Sequence, residues 1–215
     1  ALQPLRTALV GRDDRYRPID WHLDFKSGYR WNPDAWFMDI PWGHRPGVDI
    51  KVPWELSRCH HLVQTAFAHL TSDPPPAAGT EVALQLIDWI AANTPRFGVN
   101  WRSAMDAAIR ASNWIWALSL VGDSEAFPPA LRWLVVKSLY QHARHVEANL
   151  DNRGHYSNNH YLADILGLMY VGYAFPYFPE SARWLGFSIR ELASEMHRTV
   201  YPDGANYEGS TGYHR

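Results

Sequence analysis

Cysteine is almost absent from this 215-residue chain: Cys59 stands alone, so no disulfide can form within it. One missing disulfide does not decide the compartment. No apolar run reaches the roughly 18 to 20 residues of a membrane span, and no secretory leader opens the chain. The formal net charge is only −2, so no overall basic field would gather a polyanion, which argues against nucleic acid as a partner. An acidic sugar would have to meet locally placed Arg and Lys. Metal-ligand spacings are missing as well. There is no His-x-x-x-His or Cys-x-x-Cys pair, and the adjacent His60 and His61 point different ways on a helix, so neither a metal site nor a cofactor is expected in this chain. A Gly-rich phosphate loop and a Gly-x-Ser-x-Gly elbow are also lacking. No segment alternates convincingly with a period of two, and no repeat of fixed period argues for a solenoid.

Aromatic residues are abundant: 11 Trp, 11 Tyr and 8 Phe in a chain that is 47% hydrophobic and 20% charged. The length and balance suit a globular domain with a real core. Most of the Trp must pack that core; about a third are expected in a cleft, since Trp concentrates at recognition sites and flat apolar rings suit the faces of sugars. The chain opens Ala-Leu-Gln-Pro and stops at Tyr213-His214-Arg215, which reads as a piece of a longer protein.

Residues 1–53 lack sustained periodicity. They carry Trp21, Trp31, Trp36 and Trp42 punctuated by Pro33, Pro41, Pro46 and Pro53, which reads as an irregular, aromatic-rich arm packed on the rest. From Trp54 the spacing turns helical. Leu56, Cys59, Leu62, Val63, Ala66, Phe67 and Leu70 recur at three and four residues and predict one helix over 55–70. Thr80 is expected to cap a second, to about Asn93. A third is expected from Ser103 to about Val121, with Met105, Ala108, Ile109, Ser112, Ile115, Trp116 and Leu120 inward and Gly122 as cap. A fourth follows over 128–149. The fifth, Ser157 to about Phe175, is apolar nearly all round and should be central. The sixth runs from Ser181 to about Val200, where Pro202-Asp203-Gly204 ends it. Six helices with short links predict an all-α fold of antiparallel hairpins over 54–215.

Four polar clusters sit at predicted helix ends: Trp54, Glu55 and Arg58; Asn100, Trp101 and Arg102 with Asp106, Arg110 and Asn113; Asn158, Asn159 and His160; and Glu208, Tyr213 and His214 in the closing loop. Such ends can converge on one face and line one cleft. Each has a plainer reading. Arg102, Asp106, Arg110 and Asn113 could be a solvated ion-pair ladder. Ser157 or an Asn could be a helix cap, though one cap does not explain both Asn159 and His160. The Gly-rich loop around Tyr213 could be a turn.

Pro53-Trp54-Glu55-Leu56-Ser57-Arg58, Asn158-Asn159-His160 and the ending Asn-Tyr-Glu-(x)4-Tyr-His resemble, in order and spacing, the helical domain of the heparinase II/III family of polysaccharide lyases, which is also similar to oligoalginate lyases. The resemblance covers about residues 20–215. It implies an incomplete α/α toroid followed by a β-sandwich domain, with a further catalytic His and a structural metal on that later domain. It implies that Asn159 and His160 contact a uronate carboxylate and that Tyr213 is the acid of a β-elimination. The partner would be an acidic polysaccharide, and the location periplasmic or secreted. The fragment alone would be weakly active at best. Two other readings stay open: an α/α-toroid hydrolase using two of Glu55, Asp106 and Glu208, and a glycan-binding module without activity.

Overall fold

The computed structural model describes residues 16–41, 46–71, 78–151, 159–207 and 209. Among these, seven α-helices carry the fold: α1 (Lys51–Ser57), α2 (His60–Thr71), α3 (Ala78–Ala92), α4 (Ala104–Val121), α5 (Pro129–Ala148), α6 (Asn159–Ala174) and α7 (Ser181–Thr199). The one sheet is a two-stranded hairpin of β1 (Leu23–Asp24) and β2 (Tyr29–Arg30), with Leu23 opposite Arg30 and Asp24 opposite Tyr29. Single 3-10 turns stand at Phe37–Asp39 and Val99–Trp101. The fold is therefore mostly helical, as the spacing predicts.

The ends of α4 and α5 follow local chemistry. Ser103 is extended at the start of α4, and its Oγ accepts from the backbone N–H of Asp106, which satisfies one of the orphan donors of a helix start. Pro129 opens α5 at a position that needs no N–H. Gly122 caps the end of α4 as expected, in an ordinary right-handed conformation with its N–H bonded to the Leu118 carbonyl. Thr80 departs from expectation: α3 already begins at Ala78 and includes it.

The predicted helix over 55–70 is broken in two. Arg58 closes α1, Cys59 turns left-handed at φ 60°, and α2 starts at His60. Side chains from elsewhere take up the groups around the break. Asn113 donates to the carbonyl of Arg58 at 2.8 Å, Arg110 approaches the carbonyl of Ser57 at 3.5 Å, and Trp89 Nε1 donates to Ser57 Oγ at 3.2 Å. Burial pushes the Cys59 thiol up to about 11, so it is an inert packing group.

The main core gathers residues from Trp21 to Trp184 across α2 to α7. Helix α4 packs against α2, α5 and α6, and α6 packs against α4, α5 and α7. At the crossing of α4 and α6 the backbones nearly touch: a Cβ on Gly167 would lie 2.6 Å from the Cβ of Ala108 and 2.8 Å from its Cα. A second, smaller cluster joins Trp31, Ile40, Ile50, Trp54 and Val99 and seats the N-terminal arm. Asp88 of α3 anchors the arm's start, accepting from the backbone N–H of Ile19 at 2.9 Å and from Trp21 Nε1 at 3.1 Å.

The inward face of α4 differs from the predicted one. Ala104, Asp106, Ala107, Ala108, Arg110, Ala111, Trp114, Ala117 and Val121 are buried, whereas Trp116 is half exposed. Small alanines let neighbouring helices approach closely, and the two charged residues go inside because partners await them there. Seven of the ten described Trp are buried and three, Trp36, Trp116 and Trp133, are exposed, so core packing claims most of them, as expected.

Candidate functional site

Four chain ends meet around one polar cluster: the C-terminus of α1, the start of α4, the segment after α5 and the start of α6. Arg58 lies at the end of α1 with its guanidinium between two carboxylates. Its Nε donates to Asp106 Oδ1 at 2.6 Å and its Nη1 to Glu55 Oε1 at 2.6 Å. Asp106 is fully buried in the first turn of α4 while Glu55 is exposed, so the inner pair gains from a low local dielectric and the outer one is largely screened. Asn113, two turns further along the same face of α4, bridges the Arg58 carbonyl and His60 Nδ1, the latter at 3.0 Å. Burial, with the nearby Arg58 cation, lowers the His60 imidazole below its ordinary value.

Across the cluster, Asn159 and His160 open α6, both partly exposed. His160 Nδ1 lies 3.1 Å from Asp151 Oδ2. The backbone N–H of Asp151 donates to Asp164 Oδ2 at 2.8 Å. Asp164 is fully buried. Desolvation, reinforced by the negative charges of Asp151 and Asp106, pushes its carboxyl up to about 8, so it carries a proton at neutral pH. Arg102 donates from Nε to the Ile40 carbonyl at 2.7 Å. Partial burial lowers its pKa, and the attraction of Asp151 opposes that.

The structure thus draws Glu55, Arg58, Arg102, Asp106, Asn113, Asn159 and His160 towards one region. It sends four other expected cleft residues inside. Trp54 is buried with Nε1 donating to the Val99 carbonyl at 2.8 Å. Asn100 is fully buried and donates to the Trp21 carbonyl and to Asn93 Oδ1, each at 2.8 Å. Trp101 packs against Trp89, His142 and His145. Arg110 sits with its guanidinium carbon 4.1 Å above the Trp89 ring and donates from Nε to His142 Nε2 at 2.9 Å. A substrate outside the protein cannot reach these groups. They build the floor beneath the cluster rather than its wall. Glu208, Tyr213 and His214 lie outside the described residues, as does Asn158.

Two members of the cluster, Asp151 and Asp164, are not among the site residues expected from the sequence. The one available signal for Asp164 was its spacing of four from His160, which puts both on one helix face. Among the described residues no group of His, Cys, Asp and Glu is arranged to hold a metal ion, and no helix is long and apolar enough to cross a membrane.

Residues 19–215 match the model of the heparinase II/III N-terminus. The chain is 30% identical over 182 residues to a heparin-sulfate lyase of Pedobacter heparinus, covering 82% of this chain and 27% of that protein. It is 26% identical over 199 residues to a heparin-sulfate lyase of Bacteroides stercoris, covering 82% and 29%. In three dimensions it resembles the crystal structure of the heparan sulfate lyase HepC from Pedobacter heparinus, with a TM-score of 0.62 and 26% identity over 99% of this chain and 32% of that one. A heparinase III gene product gives a TM-score of 0.60 at 25% identity, over 88% and 31%. The chain belongs to the heparinase II/III family, matching its N-terminal helical part. It spans under a third of the length of these relatives.

Proposed function

We propose that this chain is the helical part of a polysaccharide lyase that cleaves a uronate-containing acidic polysaccharide by β-elimination. The observation that carries the reading is the Asn159–His160 pair at the mouth of α6, with His160 against Asp151 and the cations Arg58 and Arg102 on neighbouring helix ends, in a chain of this family. Elimination removes the proton beside the carboxylate and expels the glycosidic oxygen, and charge builds on the carboxylate as an enediolate. Amide and imidazole donors aimed at those oxygens stabilise that charge as an oxyanion hole does. Asn159 and His160 take this role, and the ionised phenol of Tyr213 takes the proton beside the carboxylate and then gives it to the leaving oxygen, so that one group serves as base and acid. Asn113, Glu208 and His214 are assigned to substrate binding with Arg58 and Arg102. Asp106, bound within its ion pair, acts by holding Arg58 in place.

The relatives' names make a sulfated glycosaminoglycan the first polymer to test, with alginate and bacterial exopolysaccharides beside it. The downstream β-sandwich, an open toroid and a periplasmic or secreted location belong to the same proposal. The test is ultraviolet absorbance of products from the full-length protein incubated with that panel. An unsaturated uronate end that disappears in His160→Ala supports the reading. New reducing ends without unsaturation mean hydrolysis, and saturable binding without product means a glycan-binding module; either sinks it.

A further inference from the structure

We propose that Asp151 is a positioning residue for His160, and that the buried side chain of Asp164 in turn fixes Asp151. The inference rests on the reading of His160 as a group that meets the substrate. Asp151 follows α5, and His160 is the second residue of α6. The carboxylate of Asp151 lies 3.1 Å from His160 Nδ1. An ionised carboxylate only accepts, so Nδ1 carries the hydrogen, and the ring cannot turn over without losing that bond. Nε2 is then the acceptor nitrogen of the neutral ring. When protonated, the ring donates from both nitrogens, to Asp151 and to an anionic partner.

Asp151 would be a poor clamp if its own backbone were loose. Its N–H is held at 2.8 Å by Asp164 Oδ2, and Asp164 has no solvent exposure. Asp164 lies four residues after His160 on the same helix, one turn below it. One turn of α6 therefore grips Asp151 twice, through the side chain at His160 and through the main chain at Asp164. Among the described residues, the charges that act on this grip are Asp106 from α4, which raises the pKa of Asp164, and Arg102 just before α4, which is attracted to Asp151. With Asp164 protonated at neutral pH, the negative charge beside the imidazole sits on Asp151. Outer groups that orient an imidazole in this way fix its tautomer.

The test uses the full-length protein with Asp151→Ala and the isosteric Asp151→Asn, read in two ways. Ring nitrogen chemical shifts of isotope-labelled His, with His160 identified by the signal that His160→Gln removes, are recorded about two pH units above the ordinary imidazole value. The expected result is an Nδ1–H ring in the wild type and in Asp151→Asn, whose amide oxygen still accepts. In Asp151→Ala the ring should shift towards Nε2–H. Rates of unsaturated-product formation should fall about tenfold or more in kcat for Asp151→Ala, with KM little changed and partial rescue in Asp151→Asn, because misplacement of about 1 Å can cost a hundredfold. An unchanged ring signature in Asp151→Ala overturns the positioning role. So does a wild-type kcat in that variant. If no polymer yields unsaturated product, the lyase reading fails by itself, while the ring signature still decides whether Asp151 positions His160.

Discussion

Arg110 is a cation placed where cations are expensive. It is fully buried, and its three hydrogen bonds go to His142 Nε2 and to the carbonyls of Ser57 and Asn100. Burial lowers its pKa to about 10, with Asp106 acting in the other direction, so the charge survives at neutral pH. The Trp89 face, 4.1 Å away, supplies cation–π attraction. His142 answers in kind: its Nδ1 bonds the Ser138 carbonyl at 2.7 Å, which leaves Nε2 as the acceptor for Arg110. Burial and the arginine beside it keep that imidazole neutral. We expect Arg110→Ala to cost about 3 kcal/mol or more in urea unfolding, since it opens a cavity and leaves several polar groups unpaired. Asp164 gives the opposite kind of signal. Its carboxyl titrates near 4 in the unfolded chain and at about 8 when folded. Its contribution is fully present at low pH and is lost as pH rises from about 4 to about 8, because the unfolded chain gives up the proton first. The histidines act the other way, His145 being lowered to about 4 by burial, so their contribution is lost as pH falls below the ordinary imidazole range. The clean measurement is the difference in Tm between Asp164→Asn and wild type. It should grow in the variant's favour between pH 5 and pH 8; a difference independent of pH would contradict the protonated, buried carboxyl.

At the scale of elements, the close crossing of α4 and α6 depends on two small residues, Ala108 and Gly167. Gly167→Ala gains helix propensity worth about 1 kcal/mol. The new Cβ would meet Ala108 at 2.6 Å, and forcing the helices apart is expected to cost about 1 to 3 kcal/mol and win. Thermal unfolding should show a lower Tm, partly restored by Ala108→Gly in the same chain. A neutral Gly167→Ala would mean the helices separate without penalty. The helices themselves were legible in the sequence because α3 to α7 repeat apolar residues at three and four positions and carry local end signals such as Ser103 and Pro129. The break at Cys59 was not legible. It depends on Asn113, Arg110 and Trp89 reaching the Ser57–Arg58 segment from elements 32 to 55 residues away, and nothing local announces them. The buried face of α4 was misjudged for the same reason. Asp106 and Arg110 look like surface residues until Arg58 and His142, 48 and 32 residues distant, are brought beside them. Within the candidate site, the helix-end clusters name segments that the fold draws together around Arg58 and His160. They did not separate residues that face outward, such as His160, from those that turn inward, such as Trp54 and Asn100. Asp164 went unread because burial, which no local pattern reveals, is what makes it unusual.

For the molecule as a whole, an aromatic core beneath and a polar cluster above are joined through α4, whose Arg110 looks down into the tryptophans while Asp106 holds Arg58 on the side of the cluster. The cluster gathers cations, an amide and an imidazole on helix ends, on which the proposed recognition of an acidic sugar rests, and the chain covers the N-terminal part of a family whose relatives are about three times longer. The most direct measurement of the central claim is steady-state formation of unsaturated product by the full-length protein and its Asn159→Ala and Tyr213→Phe variants on the same uronate polymer. Both residues are assigned to charge that appears only in the transition state, so kcat should fall on the order of a hundredfold or more while KM changes little. A Tyr213→Phe enzyme that makes unsaturated product at the wild-type rate would contradict the account.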